Sequence, residues 1–152
     1  MGFKFSLEGL LRVRKSFEKQ EEHKLAAAVG ELKRLSTMLE SVRAQLISTA
    51  DRLGKLLVHG TTGADLHLLC FEKFLLERRE QALAESVSSA LAKMKAQQAR
   101  LQEAKKKRKV LDKLRQKQMV LFLLIEGRRD QQRLDDAFLM RRSNDDSGKG
   151  LA

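Results

Sequence analysis

From Ala28 onward the apolar positions fall at Leu32, Leu35, Leu39, Val42 and Leu46, then pass through Thr49 to Leu53 and Leu56. The steps alternate strictly between four and three. A second series obeys the same rule: Leu83, Val87, Ala90, Met94, Gln97, Leu101 and Ala104, continuing through Arg108 to Leu111. Such spacing holds one narrow stripe of a helix against a partner helix, as in a coiled coil. Between the two series lies one stretch of turn chemistry, Gly60-Thr61-Thr62-Gly63, preceded by Leu56-Leu57-Val58. Thr62 is placed to cap the second helix, with Asp65 three residues on as the acidic partner of a capping box. Isolated Gly9, Gly30, Gly54 and Gly127 each cost about 1 kcal/mol against Ala, which a long helix tolerates. The pattern predicts an all-α chain, a single coiled-coil domain over 1–152. It is a long antiparallel two-helix hairpin, with helix one over about 5–57, the turn at 58–65 and helix two over about 64–142. The stretch 143–152 reads as a disordered tail.

The helices are unequal. At about 1.5 Å per residue they measure about 80 and 118 Å. Pairing outward from the turn places Phe5 near Gln116 and leaves about 26 residues of helix two, ~39 Å, without a partner. This overhang carries Met119-Val120-Leu121-Phe122-Leu123-Leu124-Ile125. Apolar residues in unbroken succession cover every face of a helix, more than a two-helix seam can bury. An exposed apolar patch of that kind reads as an interaction site. Polar residues fall on the stripe at Thr49, Gln97 and Arg108, and near the start of helix one at Arg14, Glu21 and Lys24. They are expected to weaken the seam locally or to fix its register.

Composition sharpens this picture. The chain has no Pro, Trp or Tyr, and its aromatics are seven Phe, which argues against a β fold. A net charge of +11 draws the protein to acidic surfaces. The single cysteine suits a reducing compartment. The first residues, with Lys4 and Glu8 among apolar neighbours, do not read as a targeting segment, and a cytoplasmic protein is expected. A two-helix hairpin offers little shelter for a catalytic pocket. No nucleophile and base, no cofactor loop and no metal-ligand spacing can be named, so a non-enzyme without cofactor or metal is expected. His67 and Cys70 sit three apart but lack a second ligand pair for zinc. Ser147-Gly148-Lys149-Gly150 lacks the strand and upstream glycine of a phosphate loop.

From Arg100 to Lys117 nine basic residues face only Glu103 and Asp112. At the centre is the patch Lys105, Lys106, Lys107 and Lys109, with Arg108 on the seam register. It matches a basic nuclear-import string but reads first as a solvated helix face and next as a site for an acidic protein. Nucleic acid comes behind these, because no aromatics interleave with the basic residues.

The ends of the chain carry a resemblance. Phe3-Lys4-Phe5-Ser6-Leu7-Glu8, followed by Leu10-Leu11-Arg12-Val13-Arg14, resembles the opening of the flagellar export protein FliJ family. The stretch Arg128-Arg129-Asp130-Gln131-Gln132-Arg133-Leu134-Asp135-Asp136-Ala137 is similar to that family's closing pattern. Lys109, Leu111, Leu114, Lys117 and Gln118 match its approach to that motif, and Phe71 or Phe74 with Leu83 match the family's segment after the turn. The resemblance implies an antiparallel two-helix coiled coil of the bacterial flagellar type III export apparatus. Its members resemble the stalk of rotary ATP synthases, insert their terminal end into the hexameric export ATPase ring and promote its assembly. It further implies contact with the cytoplasmic domain of the export gate, hand-over of export chaperones, and a cytoplasmic protein peripherally associated with the inner-membrane export apparatus at the flagellar base.

Carried onto this chain, the resemblance and the overhang together place the ATPase-ring contact on Phe3, Phe5, Leu7, Leu10, Leu11, Leu121, Phe122, Leu124, Ile125, Gln131, Gln132, Leu134 and Asp135. The export-gate contact falls on Leu39, Val42, Leu46, Phe71 and Phe74. The family's gate surface includes tyrosines on helix one, which this chain lacks. The alternatives are the stalk of a virulence type III secretion system, a basic nucleic-acid-associated coiled coil, and a homodimeric scaffold paired through its apolar overhangs.

Overall fold

A computed structural model of the protein describes residues 2–148, with side chains through Ser143. The chain forms two helices, α1 (Glu8–His59) and α2 (Gly63–Gly148), and no strand occurs among the described residues. The helix therefore continues past the point near 142 where the sequence suggested a tail. Residues 149–152, the rest of that tail, lie outside the described residues.

The turn is built as its chemistry dictates. α1 stops at His59 because Gly60 takes φ +82°, a left-handed conformation that glycine adopts without Cβ strain. His59 Nδ1 lies 2.8 Å from the Lys55 carbonyl oxygen in the last turn. The Thr62 hydroxyl accepts the Asp65 backbone N–H at 3.2 Å and donates to the Asp65 carboxylate at 2.6 Å. The Leu66 N–H donates to the Thr62 carbonyl at 3.1 Å, which closes the first turn of α2. Thr62→Ala should cost about 1 kcal/mol through loss of this cap. Thermal unfolding checks it: the midpoint falls for Thr62→Ala and stays for Thr62→Ser.

The chain divides into two compact units, Ser16–Lys105 and the pair of segments Met1–Lys15 and Lys106–Ala152. The first unit is the antiparallel hairpin. Its seam buries Leu39, Val42, Ala90, Leu101 and Ala104 on the spacing read from the sequence, and also Leu69, which lies ahead of the second series. Thr49 is also buried there, as are Glu18, Glu21 and Gln97. One register assignment changes: Lys24 points outward with 59% of its side chain exposed, and the half-buried Leu25 takes the seam position. The physical reason is phase. Glu18, Glu21, Leu25 and Ala28 continue the four–three alternation, and Lys24 stands one residue, about 100°, off it.

The buried polar residues are paired. Gln97 Nε2 donates to the Glu21 backbone carbonyl at 3.3 Å and to the Glu21 carboxylate. Lys24 Nζ reaches that carboxylate at 2.9 Å. The Lys24 hydrogen bond, then the Gln97 bond, hold the Glu21 carboxyl below the usual carboxylate range. Arg43–Glu80 (2.8 Å), Arg52–Glu72 (3.5 Å) and Lys105–Glu22 (3.6 Å) flank the seam across the two helices. Exposed pairs of this kind contribute at most about 1 kcal/mol each, so their main effect is on register.

In the second unit the N-terminal residues 2–5 are non-helical and pack on α2. Leu11 is fully buried and Phe5 is 7% exposed. The Glu8 carboxylate pairs with Arg115 at 3.4 Å, and the Phe3 ring meets the Phe122 ring at 5.7 Å between centroids, tilted by 54°. Phe122 lies further along α2 than Gln118, where the expected pairing of Phe5 with Gln116 would put the partner of Phe3. An extended residue advances about 3.3 Å where a helical one advances 1.5 Å, so a non-helical start reaches further along its partner. Met119–Ile125 is thus not wholly uncovered, since Phe122 lies under Phe3. Beyond it, every described residue from Gly127 to Ser143 is exposed.

Candidate interaction surfaces

In the unit formed by the chain ends, the residues expected to meet the ATPase ring separate into two groups. Phe5 and Leu11 are core, and Phe3, Leu7 and Phe122 are half-buried around them. These side chains build the surface and do not constitute it. Leu10, Leu121, Leu124 and Ile125 are open, the last three at 58%, 56% and 50%. Gln131, Gln132, Leu134 and Asp135 are exposed on the partnerless stretch of α2. The sequence reading passed over Phe138, Leu139 and Met140, each 60% exposed or more. The signal was present, because a short apolar run lies four residues beyond Leu134 on a helix without a seam to enter.

The expected gate residues also separate. Leu39 and Val42 are buried in the hairpin seam and Leu46 is half-buried, so the first two are unavailable to a partner while the hairpin stays paired. Phe71 and Phe74 are exposed, and the Arg78 guanidinium lies 5.8 Å from the Phe74 ring centroid. Leu68 and Leu75, which the sequence reading omitted, are exposed beside them. Leu68, Phe71 and Leu75 fall at i, i+3 and i+7, a second apolar stripe on the same helix that the seam series had masked.

Of the basic patch, Lys105 belongs to the hairpin unit and pairs with Glu22. Lys106, Lys107 and Lys109 belong to the other unit and are exposed. Arg108, half-buried on the seam side, forms an ion pair with Asp112.

An open groove of about 650 Å³ runs along the hairpin where Ala28, Ala82, Ser86 and Ala90 leave the seam thin. Ser86 and Ser89 line it with Glu31, Glu85 and Lys93, and the Ser86 hydroxyl donates to the Ala82 carbonyl oxygen at 2.9 Å. Among the described residues no group of three or more His, Cys, Asp or Glu side chains could hold a metal ion. His67 and Cys70 are both exposed. No helix among the described residues is long and apolar enough to cross a membrane. What the molecule offers is surface: exposed apolar residues on α2 in each of the two units, and exposed basic residues.

No curated protein and no solved structure matches the chain closely enough to extend this. The family described as the flagellar FliJ protein matches residues 3–147. With nearly the whole chain matched, and two long helices paired as the resemblance implied, the protein belongs to the flagellar FliJ family, a component of flagellar protein export.

Proposed function

We propose that the protein is a non-enzymatic stalk of the flagellar export apparatus. Its terminal unit contacts the export ATPase hexamer and promotes ring assembly and activity. The turn half of the hairpin contacts the cytoplasmic domain of the export gate through Phe71 and Phe74, with Leu46 beside the seam. The protein also helps to hand over export chaperones, and the lack of aromatics among its exposed basic residues speaks against nucleic acid as a partner. It works in the cytoplasm at the flagellar base, held to the membrane-embedded machinery through these partners. The corresponding stalk of a virulence secretion system has the same architecture and is the nearest alternative.

The observation that carries the reading is the exposed apolar surface of the terminal unit. Leu121, Leu124, Ile125 and Leu134 are all half-exposed or more on a chain with a net charge of +11. Exposed apolar clusters of this kind mark interaction sites.

The test is Ile125→Ala with Leu134→Ala. Both side chains are exposed, so helix content and thermal midpoint should be unchanged. Burying one Leu or Ile at an interface contributes about 1.5–3 kcal/mol, so stimulation of the ATPase should require at least tenfold more protein. Unaltered stimulation sinks the ring contact. A loss of stability, or a fall in mass by light scattering, assigns these residues instead to a homodimer contact.

A further inference from the structure

On α2, Arg108, Leu111, Asp112, Gln118, Phe122 and Glu126 are half-buried, and Phe122 meets the Phe3 ring on that side. At about 100° per residue the opposite side of the helix collects Lys106, Lys109, Lys113, Lys117 and Arg128, all exposed. The same side carries the exposed Val110, Val120, Leu121 and Leu124. An apolar hollow of about 500 Å³ lies among Lys113, Gln116, Lys117, Val120 and Leu121. No Asp or Glu falls on this face between 106 and 131. The carboxylates of that stretch, Asp112, Glu126 and Asp130, stand about 120° or more around the helix. Each is engaged by an arginine: Arg108, Arg129 at 3.5 Å and Arg133 at 3.5 Å.

The charge is therefore segregated. One side of the helix holds paired arginines and carboxylates; the other holds cations interspersed with aliphatic side chains over ~33 Å. We propose that this outward face lays α2 along an anionic phospholipid surface. An amphipathic helix rich in lysine binds in the interfacial plane, its apolar residues entering the headgroup boundary. The lysine stems lie along apolar surface and hold their ammonium groups at the phosphates. The composition selects lipid over an acidic protein, because protein interfaces are depleted in Lys and enriched in Arg. It selects lipid over nucleic acid, because aliphatic residues in mid-face contact no phosphate and no aromatic ring is there to stack a base. This proposal does not rest on the stalk reading. Leu121 and Leu124 are common to both surfaces, but Ile125 and Leu134 lie off the face, so the Ile125→Ala, Leu134→Ala pair tests the ring contact without touching the lipid face.

The experiment is co-sedimentation of the full chain with vesicles of phosphatidylcholine alone or mixed with phosphatidylglycerol. The protein should bind the mixed vesicles, not the neutral ones, and release progressively with salt. Each interfacial Lys contributes about fivefold to partitioning, so Lys113→Glu with Lys117→Glu should weaken binding by at least about tenfold. Leu121→Ser with Leu124→Ser should remove the binding that survives high salt. Lys33→Glu with Lys95→Glu, the same charge change on the hairpin unit, and Ile125→Ala with Leu134→Ala should both bind as the parent does. Circular dichroism confirms that each variant remains helical. Equal binding to neutral vesicles overturns the proposal, as does equal loss in the Lys33/Lys95 and Lys113/Lys117 pairs. Displacement from vesicles by duplex DNA or an acidic helical peptide at lower concentration than by free anionic vesicles overturns it in favour of that partner.

Discussion

Leu11→Ala is expected to cost about 2–4 kcal/mol, the largest loss from any single truncation in the terminal unit. Leu11 is fully buried, and among the described residues of its unit Phe5 is the one other buried apolar side chain. So small a core cannot spread the loss over many neighbours, and the cavity will not collapse without moving the non-helical start of the chain. The defect should be local. Hydrogen exchange should show the first residues of α1 opening by that amount while amides around Val42 and Leu69 keep their protection. Uniform loss of protection along both helices would mean that the chain unfolds as a single cooperative block.

The second large effect goes the other way. Glu21 and Gln97 interrupt the seam with a buried, hydrogen-bonded polar layer. Replacing a buried polar pair by apolar residues of similar size is often stabilising, whereas removing one partner strands the other. Glu21→Leu with Gln97→Leu together should therefore raise the thermal midpoint by roughly 5 °C, and Gln97→Leu alone should lower it. The pH dependence comes from the carboxyl. Its value in the folded chain is lowered, first by Lys24 and then by Gln97. A lowered carboxyl contributes stability that is present above its unfolded value, about 4.3, and lost as pH falls through the folded value. The parent should thus lose stability on acidification in that window, and the double variant should lose less. Parallel acid titrations by circular dichroism decide it; identical acid curves would show that the Glu21 layer carries no such linkage.

The stripe Leu39–Val42–Thr49 and its partner Ala90–Gln97–Leu101 were legible because four–three spacing repeats over many turns, each turn repeating the same signal. The capped turn was legible because Gly60, Thr62 and Asp65 each permit few other arrangements. Two things escaped. The place of Lys24 was misjudged because near Glu18 the stripe turns polar, and residue type no longer marks phase. The reach of Phe3 onto Phe122 escaped because a helical rise was applied to residues that are extended. The candidate surfaces were less legible than the fold. A sequence marks Leu39, Phe5 and Leu11 as apolar but does not say which apolar residues the core consumes; only burial separates these from Phe71, Leu121 and Leu134.

The pairing of the chain's first residues with a late stretch of α2 has a consequence for synthesis. Phe3 leaves the ribosome long before Phe122, the ring it packs against. Bacterial and other chains emerge at about 5–20 residues per second, so this partner is absent for many seconds. The residues around the turn can pair as soon as Leu69 is out; each seam layer nearer the N-terminus must wait for a later one. Phe3 and Phe5 are accordingly among the residues that wait longest for cover, and codon changes that slow translation of α2 should raise aggregation before any defect in the finished protein can be measured.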